Sequence, residues 1–191
     1  MKHYTRIMVA AAVAVAGVTG CSNDLNRNAA PVELVATNSQ NLHVIDLEGG
    51  TRCNETIATV NLQAFLKNAS QISDQTFNQV RINRYQVSYV RTDGGKIVPA
   101  TFVRSIDNLL TPGGAPTALS DFQAFEVDAI NHAPFQALFP SNGGRDPETG
   151  RPVVSMDAIL TIFGETLAGE RVSATTRVPL DFCVTQCTGC S

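Results

Sequence analysis

Alternation of apolar and polar positions is clearest near the end of the chain. From Arg171 to Phe182 the even positions carry Val172, Ala174, Thr176, Val178, Leu180 and Phe182. The odd ones carry Arg171, Ser173, Thr175, Arg177, Pro179 and Asp181. A period of two is the pattern of a half-buried strand. Pro179 has no N–H for a ladder, so the strand is expected to be an edge there or to carry a bulge. Val153–Phe163 places Val154, Met156, Ala158, Leu160 and Ile162 on one face, and Gly164–Glu170 joins the two strands as a hairpin loop.

Earlier segments repeat the theme. Ile57–Leu66 aligns Ala58, Val60, Leu62, Ala64 and Leu66, with a helix as the competing reading for its end. Tyr85, Val87 and Tyr89 alternate with Gln86 and Ser88, and a turn over Thr92–Lys96 leads into a strand at Ile97–Val103. Phe125, Val127 and Ala129 predict a strand over 122–131, while Val32–Ala36 and Leu42–Leu47 predict two short ones. Two Gly/Pro-rich stretches, TPGGAPTALSD (111–121) and PSNGGRDPETGRP (140–152), are expected to be long exposed loops. Between them His132–Phe139 is apolar enough for a helical turn packed over one end. The expectation is an all-β, antiparallel sandwich of about seven strands over residues 32–182, best defined from 56 onward.

The start of the chain obeys a different rule. Lys2 and Arg6 precede an apolar run, Ile7–Val18, and Thr19-Gly20 stands before Cys21. This is the layout of a secretory signal. A helix over that run spans roughly 18 Å, short of the ~30 Å hydrocarbon core. An ordinary signal leaves Cys21 unexplained. Val18-Thr19-Gly20-Cys21 resembles the bacterial lipobox, an aliphatic residue and two small ones before an obligatory cysteine. The resemblance implies cleavage between Gly20 and Cys21, and acylation that makes Cys21 a lipid anchor to the bilayer. Residues 21–31 then form a lipidated tether. Ser22 in place of Asp implies, by the same resemblance, the outer membrane.

Composition narrows the partners. Loss of residues 1–20 takes Lys2 and Arg6 from 14 basic residues and nothing from 17 acidic ones, leaving a net charge of −5. With Lys67 and Lys96 the remaining lysines, no footprint for nucleic acid is expected. The lack of Trp argues against an antibody-like domain and an aromatic sugar platform. Beyond Cys21, the chain holds Cys53, Cys183, Cys187 and Cys190, which in an exported protein predict two disulfides. Three pairings are open, with a preference for Cys53 joined to a tail cysteine. CTGC at 187–190 has redox spacing but only Ser191 after it, where a reactive motif would need a following helix. A four-cysteine zinc site would show two such halves.

Three further stretches carry a second resemblance. YQVSYVRTDGGKIVP, APFQALFP and AILTIFGETLAGERVSATTRVPLDF look like parts of uncharacterised bacterial envelope lipoproteins, over residues 56–182. The last is similar to the final hairpin of Ig-like domains. Gly164, Ala168 and Gly169 match it, and Glu170 stands where Asn is common. An Ig-like or fibronectin type III-like fold is implied, with no catalytic residue.

Candidate chemistry is sparse. His43 and His132 lie far apart, with no G-x-S-x-G turn, and no H-E-x-x-H, P-loop or dinucleotide motif occurs. Asn142, Asp146 and Glu148 offer oxygens in one loop, yet lack the alternation of a calcium loop, so a solvated turn is expected. Glu126 and Asp128 are expected on the wet face of a strand. Arg81, Arg84, Arg91 and Arg104 are expected to pair with acids. No cofactor or metal is expected. The leading expectation is a non-catalytic envelope lipoprotein that binds an envelope protein or glycan through loops 111–121 and 140–152 at one end. Two alternatives remain: a small envelope hydrolase or carbohydrate-active enzyme, which needs a pocket with a strongly shifted acid or His, and an accessory subunit of an outer-membrane assembly or secretion complex, which needs an exposed apolar patch or open hydrophobic edge.

Overall fold

The computed structural model describes residues 30–38, 42–48, 56–57, 59–68, 76–120 and 122–184. The signal segment with Gly20, the anchor Cys21, and Cys53, Cys187 and Cys190 lie outside these. Among the described residues there are ten strands: β1 (Val32–Asn38), β2 (His43–Asp46), β3 (Thr56–Ile57), β4 (Val60–Leu66), β5 (Val80–Arg91), β6 (Phe102–Leu110), β7 (Thr117–Leu119), β8 (Phe122–Gln123), β9 (Val153–Thr166) and β10 (Arg171–Cys183). They form sheets of order β1-β4-β7 and β2-β10-β9-β5-β6, with a small β3-β8 pair. The all-β sandwich expectation holds at this level. Among the described residues no helix is long and apolar enough to cross a membrane.

The count exceeds seven because the strand expected at Ile57–Leu66 is divided into β3 and β4, in different sheets, and the stretch expected as loop 111–121 contains β7. β1 pairs with β4, and β2 runs parallel to β10, the one parallel pair among the described strands. The strongest alternation gives the longest strands. Val154, Met156, Ala158, Leu160 and Ile162 of β9 and Val178, Leu180 and Phe182 of β10 are all buried. Pro179 fits because β2 pairs β10 only from Leu180 to Cys183, so among the described residues no strand pairs with the proline on that side. Gly164 sits opposite a bulge, where β5 advances from Ile82 to Arg84 while β9 advances one residue. A Cβ on Gly164 would stand 2.9 Å from the Arg81 carbonyl oxygen and 2.9 Å from Val80 Cγ1, so only glycine fits.

Three expectations are corrected. The strand expected at Ile97–Val103 starts at Phe102, because the N–H groups of Lys96 and Ile97 bond to Glu148 and Pro99 has none. The strand expected over 122–131 ends at Gln123 and gives way to a 3-10 turn at Val127–Asn131. Tyrosines of β5 take over its backbone bonds: Tyr89 Oη donates to the Ala124 carbonyl at 2.6 Å, and the Gln123 N–H donates to Tyr85 Oη at 3.1 Å. Stretch 111–121 is not all loop, since β7 pairs with β4. The helical turn expected at His132–Phe139 is a 3-10 turn, Phe135–Leu138. Its buried Phe135 lies with ring centroids 4.5 Å from Phe182 and 5.5 Å from Phe125.

The sandwich has two distinct ends. At the entry end the chain arrives at Ala30, buried at 1% exposure, and the Lys67 N–H donates to the Pro31 carbonyl. Val32 faces Leu66, Gly113 bonds to Ala64, and Val80 faces both Leu110 and Thr166. The far end holds Arg91, the start of β6, the start of β9 and Cys183. Loop 111–116 therefore lies at the entry end and loop 140–152 at the far end. The expected shared contact surface of these two loops does not exist.

Candidate functional site

Arg91 continues the inward row of Tyr85, Val87 and Tyr89, which brings a guanidinium to the buried end of β5. Its side chain is 1% exposed. Nε and Nη2 donate to the two oxygens of Asp93 at 2.7 and 2.8 Å, and Nη2 also reaches Asp146 Oδ2 at 2.8 Å. Nη1 donates to the Ile97 carbonyl at 3.0 Å and lies 3.7 Å from Glu148. Asp93 and Asp146 are 1% and 0% exposed.

Each acid in turn fastens backbone. Asp93 accepts the N–H groups of Gly95 and Ser155, and Glu148 accepts those of Lys96 and Ile97. Asp146 Oδ2 accepts the N–H and hydroxyl of Thr149, while its Oδ1 is buried without a partner among the described residues. One guanidinium thus ties the β5–β6 turn, loop 146–151 and the start of β9 into a single unit. Gly95 is required for it: a Cβ there would stand 2.4 Å from Arg91 Cζ.

The electrostatics follow. Burial pushes the Asp93 carboxyl up, but the bonds from Arg91, Gly95 and Ser155 and the guanidinium charge outweigh it, holding Asp93 at about 2. Asp146 is also lowered: burial opposes, and the Arg91 and Thr149 bonds prevail. Burial works against the charged form of Arg91 too, yet its bonds to Asp93 and Asp146 leave it raised. Arg91, Asp93 and Asp146 stay ionised, and the carboxylate lone pairs are largely occupied by N–H donors. Its chemistry is that of a brace.

The turn expected at 142–150 is solvated at most of its residues, and the exception is Asp146, which is buried against Arg91. Glu148 keeps 26% side-chain exposure at 3.7 Å from Arg91, and Asn142 Nδ2 donates to the Gln136 carbonyl at 2.9 Å. Among the described residues no group of three His, Cys, Asp or Glu is arranged for a metal ion. Glu126 and Asp128 do not share a strand face. Glu126 pairs with Arg104 at 2.6 Å, and Asp128 pairs with the exposed His132 at 3.2 Å. Arg81 pairs with Asp107 in the open, and Arg84 lies 4.7 Å over the Phe163 ring. On β2, His43 Nε2 is buried without a partner among the described residues. Cys183, the one expected disulfide cysteine among the described residues, is buried at the end of β10.

Two open concavities flank β6. One of about 520 Å³ lies over Arg81, Asp107, Glu165 and Leu167, and one of about 370 Å³ over Tyr85, Arg104, Ser105 and Phe122. Neither contains the lowered acids of the brace. Sequence reasoning expected Arg91 to pair with acids but missed the buried brace, although a signal existed: the odd-numbered row from Tyr85 to Tyr89 extends directly to Arg91. A charge on a core-facing row demands partners.

No family model, curated protein or solved structure matches this chain. Fold and site define it as a two-sheet β-sandwich with a charge-braced loop end.

Proposed function

We propose that this protein is a non-catalytic lipoprotein of the bacterial outer membrane, an Ig-like domain anchored through acylated Cys21 that presents its far end to an envelope protein. Strand order supports the Ig-like reading. β1, β4 and β7 occupy the places of strands A, B and E, and β5, β6, β9 and β10 those of C, C′, F and G. β2 is then the part of the first strand that crosses to the other sheet.

The observation that carries the functional reading is the Arg91 brace. It holds the β5–β6 turn and loop 146–151 as one preorganised surface, with Val90, Ile97 and Val98 exposed at 51%, 41% and 36% beside it. Loops fixed on a rigid scaffold are where binding residues concentrate, and fixing them beforehand lowers the ordering cost of association. Aliphatic exposure in a chain without Trp favours a protein partner over a glycan.

Two measurements test this. Mass spectrometry of the N-terminal peptide is expected to show an acylated Cys21, and Cys21→Ser to move the protein from membrane to soluble fractions. A photo-crosslinking residue at Val98 is expected to trap one discrete envelope protein, and one at Thr175 on the outer sheet face is not. The crosslink should vanish when Ile97→Asp is added. Capture from Thr175 instead, or a Val98 crosslink indifferent to Ile97→Asp, removes the far end from its role.

A further inference from the structure

We infer that the entry end of the sandwich seats on the bilayer surface, with Phe77 and Leu167 entering the boundary between headgroups and acyl chains. This rests on the anchored reading above. Both exposed phenylalanines among the described residues, Phe65 at 41% and Phe77 at 60%, lie at the end where the chain enters. Leu167 at 48% stands beside Phe77, since the Leu167 N–H donates to the Gln79 carbonyl and the Ala168 N–H to the Phe77 carbonyl. Leu109, 52% exposed, flanks them opposite Arg81.

The length and destination of the tether choose the occupant. Residues 21–29 separate the acylated sulfur from Ala30, and nine residues span at most about 30 Å. Ala30 is itself buried, so the tether ends against the domain at this same end. A short tether makes contact between patch and membrane intramolecular, at high effective concentration. Phe and Leu are side chains that settle at the acyl boundary, and the exposed Arg171 at the same end is placed to meet headgroups, Arg81 being already paired with Asp107. The far end with its brace then points away from the lipid, as an envelope partner requires.

The absence of Trp makes the test direct. Full-length protein carrying Phe77→Trp, and separately Leu167→Trp or Ile97→Trp, is purified from membranes and reconstituted in vesicles of phosphatidylethanolamine and phosphatidylglycerol with brominated acyl chains. Indoles at 77 and 167 are expected to emit to the blue and to be quenched about twofold or more, consistent with burial to ~5–10 Å. The indole at 97 is expected to emit as in water without quenching. Protein that floats with vesicles and carries acylated Cys21, yet shows all three indoles unquenched or equally quenched, overturns the seating alone. A Cys21 without acyl mass overturns the anchor and the seating together.

Discussion

Replacing Arg91 with Met keeps most of the side-chain volume and removes the charge at the centre of the brace. Asp93 and Asp146, at 1% and 0% exposure, would then be stranded as buried carboxylates. Losing one partner of a buried ion pair costs about 3–5 kcal/mol, because the remaining charge has neither water nor counter-ion. Against a typical domain stability of about 5–15 kcal/mol this is a large fraction. With a urea slope of about 2 kcal/mol per M, the unfolding midpoint of Arg91→Met is expected to fall by about 2 M. Far-UV circular dichroism in urea measures it. Adding Asp146→Asn should recover part of the loss by removing one stranded charge, which a simple packing defect would not allow. Arg81→Met, which breaks a pair 62% and 67% exposed, should leave the midpoint unchanged within error. Hydrogen exchange gives the local view: the amides of Gly95, Lys96, Ile97, Thr149 and Ser155 should lose protection together. A midpoint fall under about 0.5 M, the scale of an exposed pair, would refute the brace.

Three more expectations follow from the same geometry. Asp93 titrates at about 2 instead of 3.8, so its contribution is full above pH ~3.8 and disappears as the pH falls through 2; the shift corresponds to about 2 kcal/mol, and urea midpoints between pH 5 and 2 should fall in the parent but hardly in Arg91→Met. Gly95→Ala drives a Cβ to 2.4 Å from a guanidinium held on several sides and should cost about 1–3 kcal/mol. Gly94→Ala meets nothing within 4 Å and carries only the strain of φ +97, about 1 kcal/mol; thermal melts that rank Gly94→Ala as the worse variant would contradict this. Phe135→Ala empties a site 0% exposed between Phe125 and Phe182 and should cost about 3–5 kcal/mol in chemical denaturation; a loss below about 1 kcal/mol would mean that the 3-10 turn does not carry core.

How far the chain was legible differs by element. β9, β10 and the later part of β5 were readable because period-two burial needs only near neighbours in sequence. The edge at Pro179 was readable for the same reason, since a missing N–H is a property of one residue. The strand expected at 122–131 failed where tyrosine hydroxyls of β5 took the backbone groups instead of a neighbouring strand. The solvated turn expected at 142–150 failed at Asp146 for a similar reason. Asp146 and Glu148 were visible as acids, but their partner lies 55 residues from Asp146, on another element.

Alternation, glycine and proline therefore decided which segments are strands and which of their faces are apolar. Tertiary structure decided which end each loop occupies, and it separated 111–116 from 146–151 although both had looked alike as Gly/Pro-rich tips. It also supplied the counter-ions of Arg91. The physical reason is range. Whether a side chain can be buried is written in its immediate pattern, whereas the group that satisfies a buried charge is whichever one folding brings within 3 Å, and no local pattern contains that distance.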